Sequence, residues 1–326
     1  MIYARKICVF AKKSVPLHPI MAKIGIFDSG YGGLTILSEI RKVLPQYDYL
    51  YLGDNARAPY GTHSFEVIYQ YTLQAVKYLI EQDCALVILA CNTASAKALR
   101  TIQQVDLPRI NAKMQKCENA KLVNVLGVIR PTVETVPSVT RTGHIGILAT
   151  PATVSSESYV LELEKISNHQ PQTTSNNLKP QTSNLLVVTQ QACPLWVPLI
   201  EAGEHSKPGA DYFVDLYLRE LFDKDPQIDT LVLGCTHYPL LKEKIDSFLR
   251  NHEITESREH EIAIISQGAL VADSLKDYLH RHPEYRDQLS QDGTCTYLTT
   301  ENADRFAQSA SLFLQESICA SHIHLA

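Results

Sequence analysis

Short apolar runs alternate with amphipathic stretches along most of the chain, and each run ends in small or polar residues. The runs at 23–27, 47–52, 85–90, 124–129, 144–148, 185–189, 230–234 and 261–265 read as strands. The stretches at 34–44, 65–82, 93–103, 156–166 and 303–314 carry helical composition or apolar spacing. Strand and helix in alternation is the pattern of α/β domains built on parallel sheets. The strands at 124–129 and 144–148 would open a second unit. A chain of 326 residues, 45% apolar, is long enough for two compact domains, each burying its own core.

Two polar stretches break the rhythm. Residues 167–184 hold a near-duplicate, Pro171-Gln172-Thr173-Thr174-Ser175-Asn176 followed by Pro180-Gln181-Thr182-Ser183-Asn184, and with nothing apolar to bury they read as a surface loop or disordered segment. Residues 111–119 are mostly polar, with one Met and one Cys, Met114 and Cys117, and read as a linker. Met21 stands just before the first strand, so residues 1–20 read as a flexible extension or a misplaced start. The expected division is residues 21–118 plus 258–326 as a first α/β domain and 119–257 as a second, with a low-complexity loop at 167–184.

Charge narrows the partners. The balance of 30 basic against 35 acidic residues, net −5, has no basic excess to neutralise phosphates, so neither nucleic acid nor a membrane surface is expected and a small molecule is. No apolar run reaches the roughly 20 residues of a membrane span. The run at 7–11 is cut short by Lys12 and Lys13, against a signal peptide and for a cytoplasmic protein. Eight cysteines, Cys8, Cys84, Cys91, Cys117, Cys193, Cys235, Cys295 and Cys319, form no C-x-x-C pair, against both a disulfide framework and a zinc site. A reducing compartment fits.

Two of these cysteines share a setting. Leu86-Val87-Ile88-Leu89-Ala90-Cys91-Asn92-Thr93 resembles Leu231-Val232-Leu233-Gly234-Cys235-Thr236-His237: a buried strand, a small residue, a thiol, then polar side chains at a helix start. Ligands of open parallel sheets bind just past the carboxyl ends of strands. A helix start there favours the thiolate. The plain alternative for a single Cys is a small apolar residue at a strand end, which is how the other six are read. Asp28-Ser29-Gly30-Tyr31-Gly32-Gly33 follows the first strand but lacks G-x-G-x-x-G spacing. Asp28 suits an ammonium group or proton exchange with a thiol, or is an ordinary cap before turn glycines. Asp54-Asn55-Ala56-Arg57-Ala58-Pro59-Tyr60-Gly61 positions a substrate or is a well-capped turn. His237 stands near enough to Cys235 to share a proton, or is structural.

Taken in order, Asp28-Ser29-Gly30, Gly53-Asp54, Pro59-Tyr60-Gly61, Ala90-Cys91-Asn92-Thr93 and Gly234-Cys235-Thr236-His237-Tyr238-Pro239 resemble the glutamate racemases of the aspartate/glutamate racemase superfamily, from about Lys23 to the C-terminal region. The resemblance implies two pseudosymmetric α/β domains, each a mostly parallel sheet flanked by helices, enclosing glutamate in the cleft between them. It implies that Cys91 takes the α proton of D-glutamate and Cys235 that of L-glutamate, assisted by Asp28 and His237. Ser29, Pro59, Tyr60, Gly61, Asn92, Thr93, Thr150, Thr153 and Thr236 would bind substrate, and Asp54 and Glu201 match further acidic positions. The same resemblance implies no cofactor and no metal, a supply of D-glutamate for peptidoglycan, and a possible homodimer. Tyr31 stands where many relatives carry a small aliphatic residue, so packing behind the site is expected to differ.

Inverting a stereocentre by deprotonation needs a base on each face, and two thiols supply it, each a base in one direction and an acid in the other. An unperturbed thiol is only about 3% ionised at pH 7, so helix starts and polar neighbours are expected to lower its pKa. The rival readings are an aspartate racemase using the same thiols, a pyridoxal-phosphate enzyme, and a catalytically silent amino-acid-binding protein. No lysine stands in a recognisable Schiff-base motif, and retention of Cys91, Cys235, Asp28 and His237 speaks against a silent protein.

Overall fold

The computed structural model describes residues 21–116, 121–169, 186–251 and 261–325. The expected extension at 1–20, nearly all of the 167–184 loop and residues 117–119 of the expected linker lie outside them.

Ten strands are present among the described residues: β1 (Lys23–Asp28), β2 (Tyr49–Gly53), β3 (Cys84–Leu89), β4 (Asn124–Gly127), β5 (His144–Ala149), β6 (Val187–Ala192), β7 (Thr230–Gly234), β8 (Ala263–Ile265), β9 (Cys295–Thr299) and β10 (Ala320–His322). They form two sheets, ordered β10-β9-β2-β1-β3-β4 and β6-β5-β7-β8. Every pairing within these sheets is parallel. Parallel sheets are covered on both faces, which is why their strands read as continuous apolar runs. In β3, Leu86 and Ile88 enter one core and Val87 and Leu89 the opposite one. In β7, Leu231 and Leu233 face one core and Val232 the other.

Strand 124–127, expected to open the second unit, is instead an outer strand of the first sheet, with Leu86 opposite Asn124 and Leu89 opposite Gly127. The reason is Val123 and Val125, which complete the apolar cover of β3 on that side. Sheet membership therefore changes after residue 127, not 118. The chain returns after β8, whose Ile265 pairs with Val232, not after residue 257. The expected linker also needs correction. Its first residues, 111–114, are the last turn of the Leu107–Met114 helix, because Ile110 and Met114 pack on the core and Asn111 bonds both polar groups of the Val123 backbone. The helix expected at 93–103 starts at Asn92 and runs on through a π turn at Ile102–Asp106. Short strands β9 and β10 were not foreseen.

No helix among the described residues is long and apolar enough to cross a membrane.

Candidate active site

Five strand ends converge on one cleft and a sixth stands behind it. Asp28 ends β1, Asp54 follows β2, Cys91 lies two residues past β3, Thr150 follows β5, Cys193 follows β6 and Cys235 follows β7. Residues of both sheets line the cleft: Asp28, Ser29, Tyr60, Cys91, Asn92 and Thr93 from one side, Thr150, Glu201, Cys235, Thr236 and His237 from the other. Its empty space is about 630 Å³ including the open mouth. Both thiols are buried, each 6% exposed.

The surroundings of the two sulfurs differ. On the first side, Ser29 Oγ lies 3.3 Å from Cys91 Sγ, and Asp28 Oδ2 accepts the Gly30 amide at 2.9 Å. On the second, His237 Nδ1 lies 3.8 Å from Cys235 Sγ, and its Nε2 lies 3.0 Å from Glu201 Oε1. Burial, and then the charge of Asp28, push the Cys91 thiol up to about 12, despite hydrogen bonds from Ser29 and the Ala94 amide that favour the thiolate. This corrects the expectation that the helix start lowers it. The helix begun at Asn92 is only six residues long, and desolvation of the anion outweighs its dipole. Burial likewise raises the Asp28 carboxyl above the usual carboxylate range, with His237 pulling the other way. For His237 burial opposes the charged form, yet the bonds to Cys235 and Glu201 prevail and hold its pKa well above the ordinary value. A histidine whose pKa is raised thus sits against one thiol and a buried carboxyl beside the other.

Three threonines join the halves. Thr93 Oγ1 lies 3.0 Å from Thr150 Oγ1 and 3.4 Å from Thr153 Oγ1, while Thr150 caps the Pro151–Ser155 helix. Thr153 is fully buried behind Thr150 and outside the lining. Asp54 too stands behind the site. Its carboxylate takes Tyr60 Oη, Arg57 Nε and Thr300 Oγ1, which pins the loop carrying Pro59, Tyr60 and Gly61 into the cleft. Glu201, matched only as an acidic position, is the partner of His237. Tyr31 stacks on Phe306 and Phe313, with ring centroids 5.4 and 5.8 Å away, and Phe313 meets His237 edge-on, so aromatic packing fills the space behind the site.

Cys193, read from the sequence as structural or surface, is buried and also lines the cleft. Its place directly after β6 was the available signal. Pro151, Pro194, Val197 and Pro198 add apolar walls. Among the described residues, no three His, Cys, Asp or Glu side chains gather as a metal-binding cluster.

The Asp/Glu/hydantoin racemase family model matches residues 35–255, more than half of the chain. The chain belongs to the Asp/Glu/hydantoin racemase family. Among its racemase relatives, glutamate racemase of Ruegeria sp. (strain TM1040) is 36% identical over 90% of this chain and 97% of its own length. Glutamate racemase of Geobacter metallireducens is 39% identical over 75% of this chain and 78% of its own. The fold matches a glutamate racemase isoform of Bacillus anthracis with TM-score 0.75 at 29% identity, covering 94% of this chain and 98% of that one. It also matches the glutamate racemase of Francisella tularensis in complex with D-glutamate, with TM-score 0.72 at 30% identity over 94% and 98% of the two chains. The fold is therefore shared with glutamate racemases over nearly the full length.

Proposed function

We infer that the chain interconverts L- and D-glutamate by passing the α proton between Cys91 and Cys235, without a cofactor. The observation that carries this reading is the meeting of two buried thiols, one from the end of each sheet, in one cleft. Substrate enclosed there has one sulfur on each face of Cα. Hydroxyl and amide donors of Ser29, Asn92, Thr93 and Thr236 line the same cleft and suit the carboxylates.

Only one proton is shared between the thiols in a productive complex, because one must be base while the other is acid. Cys91, pushed up to about 12, keeps its proton at neutral pH. His237 Nδ1 lies against the Cys235 sulfur, and Cys235 takes the proton of L-glutamate while Cys91 delivers its own to the opposite face. The resulting enzyme has the proton on Cys235 and the charge on Cys91, ready for D-glutamate. The substrate ammonium beside Asp28 stabilises both Asp28 and the Cys91 thiolate, which a buried anion pair needs. Turnover of about 10 per second corresponds to a barrier of about 16 kcal/mol, too low for thiol basicity alone. Donors that bind the carboxylate more tightly as it gains charge supply the rest, in a cleft that domain closure keeps dry.

Replacing His237 with Asn removes the imidazole. The expected result is a fall of about 100-fold in kcat/KM. Steady-state rates from both enantiomers check it.

Glutamate is preferred over the one-methylene-shorter aspartate on the strength of the relatives, which carry the glutamate name over nearly this whole chain. The same reading makes the protein a cytoplasmic supplier of D-glutamate for peptidoglycan and allows a homodimer. Circular dichroism of L-glutamate and of L-aspartate incubated with the purified protein tests it. Decay of the glutamate signal to zero is expected; decay with aspartate alone would transfer the assignment to aspartate.

A further inference from the structure

Behind Asn92 lies a buried polar cluster that the proton-transfer scheme does not use. It joins four elements: Asn92 just past β3, Thr132 on the Ile129–Val139 helix, Tyr159 on the Ser158–His169 helix, and Gln267 at the start of the Gln267–Arg281 helix. All four side chains are 2% exposed or less. We propose that Gln267 is a positioning residue that locks the Asn92 side-chain amide with an N–H, rather than its carbonyl, turned toward the substrate. This rests on the reading of the cleft as a racemase site.

The hydrogen-bond polarity can be followed outward from a group that cannot reverse. The Val128 carbonyl only accepts, and Thr132 Oγ1 donates to it at 2.8 Å. With its hydrogen spent, Thr132 Oγ1 can only accept, and Gln267 Nε2 lies 3.0 Å from it. The same nitrogen lies 3.4 Å from the Val128 carbonyl, 3.0 Å from Tyr159 Oη and 3.1 Å from Asn92 Oδ1, so four acceptors share its two hydrogens and hold the –NH2 end of Gln267 on that side. Gln267 Oε1 must then face Asn92, where it takes Nδ2 at 2.5 Å. Asn92 Oδ1 in turn accepts Tyr159 Oη at 2.7 Å. A flipped Asn92 would set its oxygen against Gln267 Oε1, two acceptors face to face in a dry environment. With Thr132 donating to the Val128 carbonyl, the network favours one amide orientation over its flip.

What remains is the second hydrogen on Asn92 Nδ2, which has no partner among the described residues while Asn92 lines the cleft next to Cys91. A donor there matches a carboxylate, and a carbonyl would repel it. Gln267 touches no substrate and acts only through Asn92.

The test is a double-mutant cycle on the full-length protein with Gln267→Met, which keeps the length of the side chain and removes its amide, and Asn92→Ala. The cycle is read on kcat/KM for L-glutamate and on glutamate affinity by calorimetry. Gln267→Met alone should lower kcat/KM by about 10- to 100-fold, the value of one hydrogen bond to a charged group. In the Asn92→Ala background the same substitution should change it by less than about twofold, because the amide it orients is gone. A purely structural role would instead cost the same in both backgrounds, and that result, or full activity of Gln267→Met, overturns the proposal. If Gln267→Met does not fold, Thr132→Val cuts the relay one step earlier and must show the same dependence on Asn92. A wild-type protein that binds glutamate without racemising it sinks the racemase reading, yet the affinity cycle still decides whether Gln267 orients Asn92.

Discussion

Cys91→Ala and Cys235→Ala each lower racemisation by about a thousandfold or more, in both directions, and leave the fold in place. The size follows from removing one of two obligatory proton carriers, since general acid–base groups contribute about 10² to 10⁴ each and water cannot reach a closed cleft readily. Loss in both directions is required by symmetry. The enantiomers have equal free energy, so kcat/KM for L- and D-glutamate must stay equal in every variant, whichever thiol is missing. A variant slow in one direction only would violate equilibrium. The fold survives because each substitution deletes a single sulfur from a residue at the rim of a core, about 6% exposed. Polarimetry from both enantiomers gives the rates and far-ultraviolet circular dichroism the fold. Full activity in either variant would contradict a thiol on each face.

Gly32→Ala is expected to lower kcat/KM by about 100-fold with a stability loss of about 1–3 kcal/mol, the range for forcing a methyl into packed space. Gly32 lies in the turn between β1 and the Gly33–Val43 helix, at the point where the first half meets the second. A Cβ there would stand 2.4 Å from both His237 Nδ1 and Thr236 Oγ1. No real contact is that short. The imidazole must swing off Cys235, or the halves must part, and either change spoils the cleft. Gly209→Ala is the matched control, since its Cβ would meet nothing within 4 Å. Kinetics and thermal unfolding of both variants check the expectation. An active, stable Gly32→Ala protein would mean that close approach at this point does not organise the site.

Much of the site was readable because chemistry in a parallel sheet is tied to strand ends, and strand ends are where apolar runs stop. Cys91, Cys235, Asp28 and His237 stood out on that ground, and the structure brings all four to one cleft. What escaped depended on distant parts of the chain. Gln267 and Tyr159 reach Asn92 from 175 and 67 residues away, which no local pattern reveals. The charge state of Cys91 escaped for the same reason: its setting on the chain suggests an activated thiol, but burial and Asp28 dominate once the fold is made. Strand β10, at the sheet edge, is three residues long, and β9 beside it carries little apolar pattern, so both depend on the sheet they join. Strand β4 was legible as a strand but not as a member of the first sheet, a choice made by which apolar face needed cover.

The most direct measurement of a proton path with two ends is racemisation of L-glutamate in deuterated water, stopped at low conversion. With Cys91 and Cys235 on opposite faces, D-glutamate should appear fully deuterated at Cα, because its hydrogen comes from a thiol equilibrated with solvent, while recovered L-glutamate keeps its protium. Substrate protium carried into the D-glutamate would mean a single base serving both faces and would contradict the account.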